Sequence, residues 1–231
     1  MILFYITDIA DDTVIMSGDE LRHATKVLRV QIGDQVHMTD GKGTRYSCQV
    51  QSMSKREAIL TIITREVIEQ RTARLHIAMA LTKNMSRFEW FLEKAVEMGI
   101  ERITPIICDH SERKHCNVER CRKKVISAAT QSLKYHFTTV EDVKPLVVLL
   151  KEGTSENTIM AHYQPEYKHL ADHLRSGQPH TILIGPEGDF STNEMAIVKG
   201  MNIPKVKLSP HRLRTETAGI MACSIFNLVN R

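Results

Sequence analysis

The chain has 231 residues and a formal net charge of +4, which allows one large domain or two smaller ones. The charge is uneven: residues 1–70 carry 8 Lys or Arg against 10 Asp or Glu, and the remainder carries 23 against 17. A basic C-terminal part suits a polyanionic partner. Five cysteines without a Cys-x-x-Cys pair favour a reducing compartment over a disulfide framework, so we expect a cytoplasmic protein.

The N-terminal segment Met1–Asp8 lacks the basic start and long apolar stretch of a signal peptide. No apolar run approaches the ~18 residues that a membrane helix needs. We therefore expect neither a leader nor a membrane partner.

The first 70 residues have the short alternating runs and turn residues of a β module. The boundary with the next domain is predicted near Glu69–Arg74, giving domains 1–70 and 74–231. The predicted elements are strands at Gln35–Thr39, Arg45–Gln51 and Ala58–Thr64, turns at 40–43 and 54–56, and one helix over about Asp19–Leu28.

From Leu75 onward strand and helix patterns alternate, which is typical of an α/β domain with a parallel sheet. The predicted strands are 75–81, 103–108, 158–161, 181–184 and 205–208, and the predicted helices are 86–98, 118–133, 167–174 and about 191–199 with a further one at the C-terminus.

Two of these helices have specific signals at their ends. In the first, Glu89, Glu93 and Glu97 form a stripe that is predicted to face solvent, and Gly99 suits a left-handed cap. The fourth begins with Ser191-Thr192-Asn193-Glu194, the spacing of a capping box, and Gly200 is predicted to close it.

Two loops near the C-terminus are the strongest functional signal. Ile184–Ser191 and Leu208–Thr217 each follow a short apolar run and precede a helical pattern. Because ligands bind at the carboxyl ends of strands in α/β sheets, we expect both loops to contribute to one site.

The first loop contains Gly185 and Gly188 around a Pro-Glu pair, a stiff turn that lets backbone approach a ligand closely, although a plain helix-entry turn has the same residues. Neither a P-loop nor a Gly-x-Gly-x-x-Gly pattern is present, which argues against nucleoside triphosphates and nicotinamide cofactors. The second loop places Arg212 and Arg214 beside Glu216, with Thr215 or Thr217 expected to cap the following helix. Capping does not explain the arginines, which can stabilise negative charge or bind phosphate.

Two weaker patterns are interpreted as structural. His110, His115, Cys116 and Cys121 do not have the spacing of common zinc sites, so we expect isolated side chains and no metal. A carboxylate pair of Glu187 with Glu216 for glycoside hydrolysis is disfavoured, since the chain has one Trp and the surroundings are basic.

Taken together, the motifs resemble the ribosomal RNA small subunit methyltransferase E family over essentially the whole chain, in order. The most specific part is Leu-Ile-Gly-Pro-Glu-Gly followed by Leu-Arg-Thr-Glu-Thr-Ala. The other matching segments are Val27–Arg29, Gly33-Asp34, Arg87–Pro105, Ser111–Arg113 and Gln131-Ser132.

The resemblance implies a PUA-like N-terminal β-barrel and a SPOUT-class methyltransferase domain whose C-terminal segment forms a trefoil knot. It further implies a homodimer that uses S-adenosylmethionine to methylate N3 of a uridine in 16S ribosomal RNA. We expect no metal, and we expect the RNA in the assembled small subunit as substrate, with free RNA as the alternative. Three positions depart from the family pattern: Thr130, Asp189 and Ser209.

The resemblance and the residue chemistry together give a set of candidate site residues. Arg214 is expected to stabilise the charge that develops on the uracil ring. Glu216 is the nearest candidate base, although a carboxylate at a helix N-terminus favours a structural role. The candidates for donor binding are His162, Gly185, Glu187, Gly188, Leu208, Ser209, Leu213 and Thr217, and those for RNA binding are Arg22, Lys26, Arg29, Lys83, Arg87, Arg113 and Lys134.

Two other functions fit the same sequence. A SPOUT-class enzyme could instead methylate the ribose 2′-oxygen, and a noncatalytic RNA-binding protein of ribosome assembly could retain the fold. The run Arg120–Lys124 could bind RNA or simply form a solvated helix face.

Overall fold

The computed structural model describes residues 2–7, 9–153 and 157–231. Met1 and Asp8, at the two ends of the segment that is expected not to be a leader, lie outside these ranges. The chain forms two units, Met1–Gln70 with Ala129–Phe137 and Arg71–Ala128 with Thr138–Arg231. The separate roles expected for residues 1–70 and 74–231 stay predictions.

The first unit is a six-stranded sheet with the order β1-β4-β5-β6-β3-β2. Only the β1–β4 pair is parallel, and residues from both long central strands fill the core beneath them. The strands are β1 (Leu3–Tyr5), β2 (Ile9–Ala10), β3 (Thr13–Ser17), β4 (Gln35–Thr39), β5 (Thr44–Met53) and β6 (Glu57–Val67).

The hairpins of the first unit form where the sequence predicts them, with longer strands. The predicted helix over Asp19–Leu28 is divided into α1 (Gly18–Arg22) and a π-helical turn (His23–Val27). The segment 129–137 joins this unit because Phe137 N donates to Gly41 O at 2.8 Å. Gly41 has φ +71 and a side chain there would meet the Phe137 ring, so glycine is required at this turn.

The second unit is a seven-stranded parallel sheet with the order β10-β8-β7-β12-β11-β13 and β9 beside β8. The two central strands are buried along their whole length, as expected for a sheet covered on both faces. The strands are β7 (Leu75–Ala80), β8 (Arg102–Ile107), β9 (Thr139–Val140), β10 (Lys144–Pro145), β11 (Thr158–Ala161), β12 (His180–Ile184) and β13 (Lys205–Val206); the helices are α2 (Met85–Glu97), α3 (Val118–Gln131), α4 (Leu146–Lys151), α5 (Thr192–Gly200) and α6 (Thr215–Val229).

Helix α2 buries one apolar face, made of Phe88, Phe91, Leu92, Ala95 and Val96, and Gly99 has the expected left-handed φ of +75. The acidic stripe differs in part from the solvated face predicted for it. Glu89 is buried, 8% exposed, and its Oε1 lies 2.7 Å from Arg120 Nε. A carboxylate within a helix–helix contact is stabilised by that partner, so Glu89 joins α2 to α3.

Two other helix predictions are wrong in detail. Residues 167–174 form only a 3-10 turn at Leu170–Asp172. Gly200 remains helical, and the left-handed residue is Asn202, with φ +54. The short α4 was not predicted, because six residues give too little periodicity to separate a helix from a buried strand.

Within the described ranges, each helix is too short or too polar to span a bilayer.

Candidate functional site

Three adjacent loops at the carboxyl edge of the parallel sheet enclose a cavity of about 390 Å³. They follow β11, β12 and β13, so the two sequence-predicted loops do meet, with the end of β11 between them. The predicted donor-binding and catalytic residues that line this cavity are His162, Gly185, Glu187, Leu208, Ser209, Leu213 and Arg214.

Hydrogen bonds hold the three loops together. The Thr215 hydroxyl donates to Gly185 O at 3.0 Å, and the Tyr163 hydroxyl donates to Pro210 O at 3.0 Å. The prediction that Thr215 or Thr217 caps α6 is wrong, since Arg214 occupies the N-cap position without a side-chain bond. Thr215 instead connects the second loop to the first.

Local sequence explains the shape of the first loop. A Cβ on Gly185 would lie 2.8 Å from the Phe190 ring, which itself lines the cavity. Ser191 forms the predicted capping box: its hydroxyl accepts Glu194 N at 3.2 Å, and Glu194 Oε2 accepts Ser191 N at 2.8 Å. The other oxygen, Oε1, accepts Asp109 N at 3.0 Å, so the buried Glu194 also fixes the neighbouring loop.

Asp189 and His162 form a polar pair on the cavity wall. His162 Nδ1 lies 3.1 Å from Asp189 Oδ1, which also accepts Phe190 N at 2.8 Å. The hydrogen bond to His162 lowers the pKa of the Asp189 carboxyl. In the sequence Asp189 stood out only as a departure from the family pattern, because its partner lies 27 residues away.

The two candidate catalytic residues lie in different environments. Arg214 is exposed on the cavity wall and forms no ion pair with any described residue. Glu216 is buried and does not line the cavity; its Oε1 lies 3.7 Å from Arg87 Nε, and its Oε2 has no hydrogen-bond partner among the described residues. The structure thus supports Arg214 as a group that stabilises charge more directly than it supports Glu216 as a base.

Gly188 and Thr217, two predicted donor-binding residues, also do not line the cavity. A Cβ on Gly188 would lie 3.0 Å from His110 Cβ, so this glycine allows the two loops to approach each other. Thr217 is exposed in the first turn of α6.

Three RNA-binding candidates cluster near the cavity in the second unit. Lys83 N donates to Glu187 Oε1 at 3.1 Å, and Arg113 Nε donates to Lys83 O at 3.1 Å. Arg87 adjoins Glu216, as described above. The Lys83 side chain is 70% exposed even though its ammonium pairs with Glu112 at 2.8 Å.

The first unit has its own basic cavity, about 900 Å³ in volume. Arg22 and Lys26 line it together with Lys55 and Arg56, which were not among the residues predicted to bind RNA. The other two candidates of this unit, Arg29 and Lys134, do not line it.

The predicted isolation of the His and Cys side chains before and within α3 is wrong for one pair. Cys116 Sγ lies 3.4 Å from Cys121 Sγ. Nowhere in the described part of the chain do three His, Cys, Asp or Glu side chains converge as metal ligands would. In the run Arg120–Lys124, Arg122 pairs with Asp142 at 3.0 Å, so part of that run serves intramolecular contacts.

The cavity is also lined by side chains that were not predicted as ligand candidates, among them Tyr163, Phe190 and His211. Tyr163 closely follows the predicted strand 158–161, and Phe190 closely follows Gly188 in the first loop. Their positions in the sequence could therefore have identified them as ligand candidates. His211 lies in the second loop next to Arg212, whose guanidinium the sequence already indicated as a group that could bind phosphate.

Comparison with known proteins agrees with this geometry. Residues 69–227 match the RNA methyltransferase domain and residues 17–63 match the RNA methyltransferase PUA domain. The chain is 26% identical to "Ribosomal RNA small subunit methyltransferase E" of Aquifex aeolicus, over 97% of this chain and 98% of that protein. It is also 26% identical to the protein of the same name in Bacillus subtilis, over 92% and 88%.

Solved structures are similar over the full length. A probable rRNA-methyltransferase from Porphyromonas gingivalis is 33% identical, with a TM-score of 0.92 and coverage of 100% of this chain and 98% of that one. A ribosomal RNA small subunit methyltransferase E from Neisseria gonorrhoeae, bound to S-adenosyl methionine, shares the fold at 24% identity, with a TM-score of 0.88 and coverage of 100% and 98%. The α/β fold class and the N-terminal PUA domain are confirmed. Because the matched domain takes in more than half of the chain and all three loops of the cavity, the chain belongs to the RNA methyltransferase family.

Proposed function

We propose that this chain transfers a methyl group from S-adenosylmethionine to N3 of a uridine in 16S ribosomal RNA. The observation that carries the proposal is an exposed arginine, Arg214, on the wall of the loop cavity, without an ion-pair partner among the described residues. The names of the relatives, which state ribosomal RNA methylation, support the RNA substrate.

The cavity suits an adenosyl donor in size and lining. Its volume of about 390 Å³ falls within the range of small-molecule sites, roughly 300 to 1,000 Å³. The cavity wall is apolar at Leu208, Leu213 and Phe190. It carries carboxylates at Glu187 and Asp189, and their negative charge suits a cationic sulfonium group. Gly185 leaves space that a side chain would fill.

The residues proposed to hold the donor are therefore the six predicted donor-binding residues that line the cavity: His162, Gly185, Glu187, Leu208, Ser209 and Leu213. Gly188 and Thr217 remain in the proposal as neighbours that shape the loops rather than as wall residues. The knotted threading that the family resemblance implies is part of the same proposal, because it would bring the second loop past the first.

When bound, S-adenosylmethionine supplies a methyl group activated by its positive sulfur. The protein has to orient the uracil and stabilise the negative charge that N3 deprotonation places on the ring oxygens. Arg214 carries a permanent charge and has no competing carboxylate among the described residues, so it is suited to that second task.

We assign Glu216 a structural role. Its carboxylate lies in the first turn of α6, next to Arg87 and away from the cavity wall. Its oxygens are therefore not placed where they could reach a substrate bound in the cavity.

RNA would contact two basic regions, one in each unit. Lys83, Arg87 and Arg113 lie near the cavity, and Arg22 and Lys26 line the cavity of the first unit. Arg29 and Lys134 complete the proposed set. Contacts with phosphates from both units would favour a large folded RNA, which supports the assembled small subunit in the cytoplasm as substrate.

The proposal includes a homodimer. Helices α2 and α6 pack against each other in the second unit, and each leaves a large apolar side chain exposed: Trp90 is 46% exposed and Leu228 is 62% exposed. Light scattering coupled to gel filtration would test this part, since a monomer at micromolar concentration would contradict it.

The test of function is methyl transfer in vitro followed by nucleoside mass spectrometry. Purified protein receives labelled S-adenosylmethionine and either small subunits or free 16S RNA that lack the modification. We expect N3-methyluridine, formed preferentially on subunits. Arg214→Ala should lower kcat by roughly 10²- to 10³-fold, with unchanged affinity for S-adenosylhomocysteine by calorimetry. Arg175→Ala, an exposed arginine of the same unit that does not line the cavity, is the control.

The other outcomes distinguish the alternatives. Methyl groups on ribose 2′-oxygens would replace the N3 assignment with the 2′-O reaction. RNA binding without donor binding would indicate a noncatalytic assembly protein. Normal turnover of Arg214→Ala would remove Arg214 from the mechanism.

A further inference from the structure

Two cysteine thiols are in contact at the start of α3. Cys116 Sγ lies 3.4 Å from Cys121 Sγ. Cys116 is partly exposed and Cys121 is buried, and both are reduced. A disulfide requires about 2.05 Å between the sulfur atoms, so a small approach of the two side chains would allow a bond.

Local backbone structure explains why the thiols meet. Arg120 N donates to Asn117 Oδ1 at 3.0 Å, and Cys121 N donates to Asn117 O at 3.2 Å. Asn117 thus fixes the first turn of α3. The chain before it folds back so that Cys116 lies over the residue five positions later.

The surroundings give the two thiols different chemistry. The hydrogen bond from Cys121 and the charge of Arg113 lower the pKa of the Cys116 thiol. The same hydrogen bond and burial raise the pKa of the Cys121 thiol. The N-terminus of a 14-residue helix further favours an anion beside it. A partly exposed thiol with a lowered pKa next to a buried thiol is the arrangement of an attacking and a resolving cysteine.

We propose that Cys116 and Cys121 form a reversible intramolecular disulfide when the protein meets a hydroperoxide. The Cys116 thiolate attacks the peroxide oxygen and becomes a sulfenic acid, and the O–O bond breaks to release an alcohol or water. Cys121 then attacks that sulfur, the S–S bond forms and water leaves. Two thiols and one hydroperoxide give one disulfide, one alcohol or water, and one water.

The bridge would act on a segment that contacts the cavity loops. Between Cys108 and Cys116 the chain contacts the first loop, because His110 Nδ1 lies 3.0 Å from Gly188 O. Oxidation would anchor the end of this segment to α3. Disulfide formation at this site does not depend on the proposed methyl transfer.

The test treats the full-length protein with a small excess of hydrogen peroxide, blocks the remaining thiols and maps peptides by mass spectrometry. We expect loss of two free thiols, a Cys116–Cys121 linked peptide, and recovery with dithiothreitol. In Cys121→Ala the sulfenic acid on Cys116 should persist and be trapped by dimedone. Cys108→Ala, which removes another buried thiol, should still form the bridge.

Several outcomes would overturn the proposal. They are a protein that keeps all five thiols under these conditions, a linked peptide that joins two chains, and oxidation of Cys48 or Cys223 ahead of Cys116. The mapping on the unsubstituted protein decides the matter even where a variant fails to fold.

Discussion

At the scale of single residues, His76 shows how a buried polar group is held neutral. It is 6% exposed; its Nδ1 accepts from Arg102 Nη2 at 2.9 Å and its Nε2 lies 2.7 Å from the Thr104 hydroxyl. Thr104 donates onward to Glu141 at 3.0 Å. Burial, together with the positive charges of Arg102 and Lys144, lowers the His76 pKa to about 3.

This shift predicts a pH dependence of stability. The unfolded chain takes up the His76 proton near its ordinary pKa of about 6.5, whereas the folded protein does so near 3. The unfolded state therefore binds more protons between these values, and the contribution of His76 to stability falls as the pH is lowered from 6.5. The slope for one proton is at most about 1.4 kcal/mol per pH unit.

Urea unfolding from pH 7 down to pH 4.5 would measure that slope. His76→Gln should lose this part of the dependence, and His115→Gln, at an exposed position, should keep it. Equal slopes in all three proteins would show that His76 is protonated in the folded state.

Thr215 carries a second prediction at this scale. Thr215→Val keeps the shape of the side chain and removes the bond to Gly185 O, leaving a carbonyl without its partner. Loss of one such bond costs about 1 kcal/mol, and the loops should hold S-adenosylhomocysteine less tightly. Thermal unfolding and calorimetry measure the two effects. Thr192→Val, an exposed threonine at the start of α5, should change neither; a similar loss there would indicate a general effect of the substitution.

Among individual residues, prediction from the sequence succeeds where a local pattern decides the structure. Gly185 and Ser191 are specified by their neighbours, since a glycine turn and a capping box span only a few positions. The pairing of His162 with Asp189 and the isolation of Glu216 from the cavity depend on which strands become neighbours. Pattern along the chain does not contain that information, so the sequence could not show that Glu216 lies away from the cavity wall.

At the scale of elements, α6 passes close to its neighbours because of one glycine. A Cβ on Gly219 would lie 2.6 Å from Phe91 Cε2 and 2.9 Å from Met79 Sδ. Both of those side chains are fully buried. Glycine in a helix is otherwise unfavourable, so close packing against α2 and β7 explains its presence here.

Gly219→Ala should therefore destabilise the protein. Overpacking costs roughly 1 to 3 kcal/mol, which outweighs a gain in helix propensity of up to about 1 kcal/mol. Gly200→Ala is the matched control: it lies at the end of α5 with nothing within 4 Å of the added Cβ, and it should be neutral or slightly stabilising. Denaturant unfolding of both variants tests the comparison, and a stabilised Gly219→Ala would disprove the packing argument.

Elements with a clear apolar pattern were predictable. Helix α2 and strand β7 have bounds within a residue or two of those expected, because burial in α2 repeats at the helical period and β7 is a continuous apolar run. The helix predicted for residues 167–174 does not form, because a helix of that length is stable only when tertiary packing supports it. Arg71 was also missed: it bonds Glu101, Asn227 and the carbonyl of Gly99 at 2.6, 2.7 and 2.9 Å, a cluster assembled from distant parts of the chain.

At the scale of the whole molecule, charge is distributed differently from what the net value suggests. Residues 1–70 carry more acidic than basic side chains, yet Arg22, Lys26, Lys55 and Arg56 line one cavity. Affinity for RNA depends on such local concentrations of charge, because each neutralised phosphate releases counterions. A sequence average could not reveal this cavity, since Lys55 and Arg56 reach it from a hairpin turn.

We predict that RNA binding weakens steeply with salt and that this hairpin contributes to the slope. Replacing Lys55 and Arg56 together with Ala should reduce the slope of log K against log salt by about 0.7 for each single-strand phosphate that the variant no longer neutralises. Lys42→Ala with Lys151→Ala, a change of equal charge at positions that do not line this cavity, should leave the slope nearly unchanged. Fluorescence anisotropy with a 16S RNA fragment at several salt concentrations measures both. Equal slopes in the two double variants would exclude a role for the hairpin, because the change in net charge alone would then account for the weaker binding.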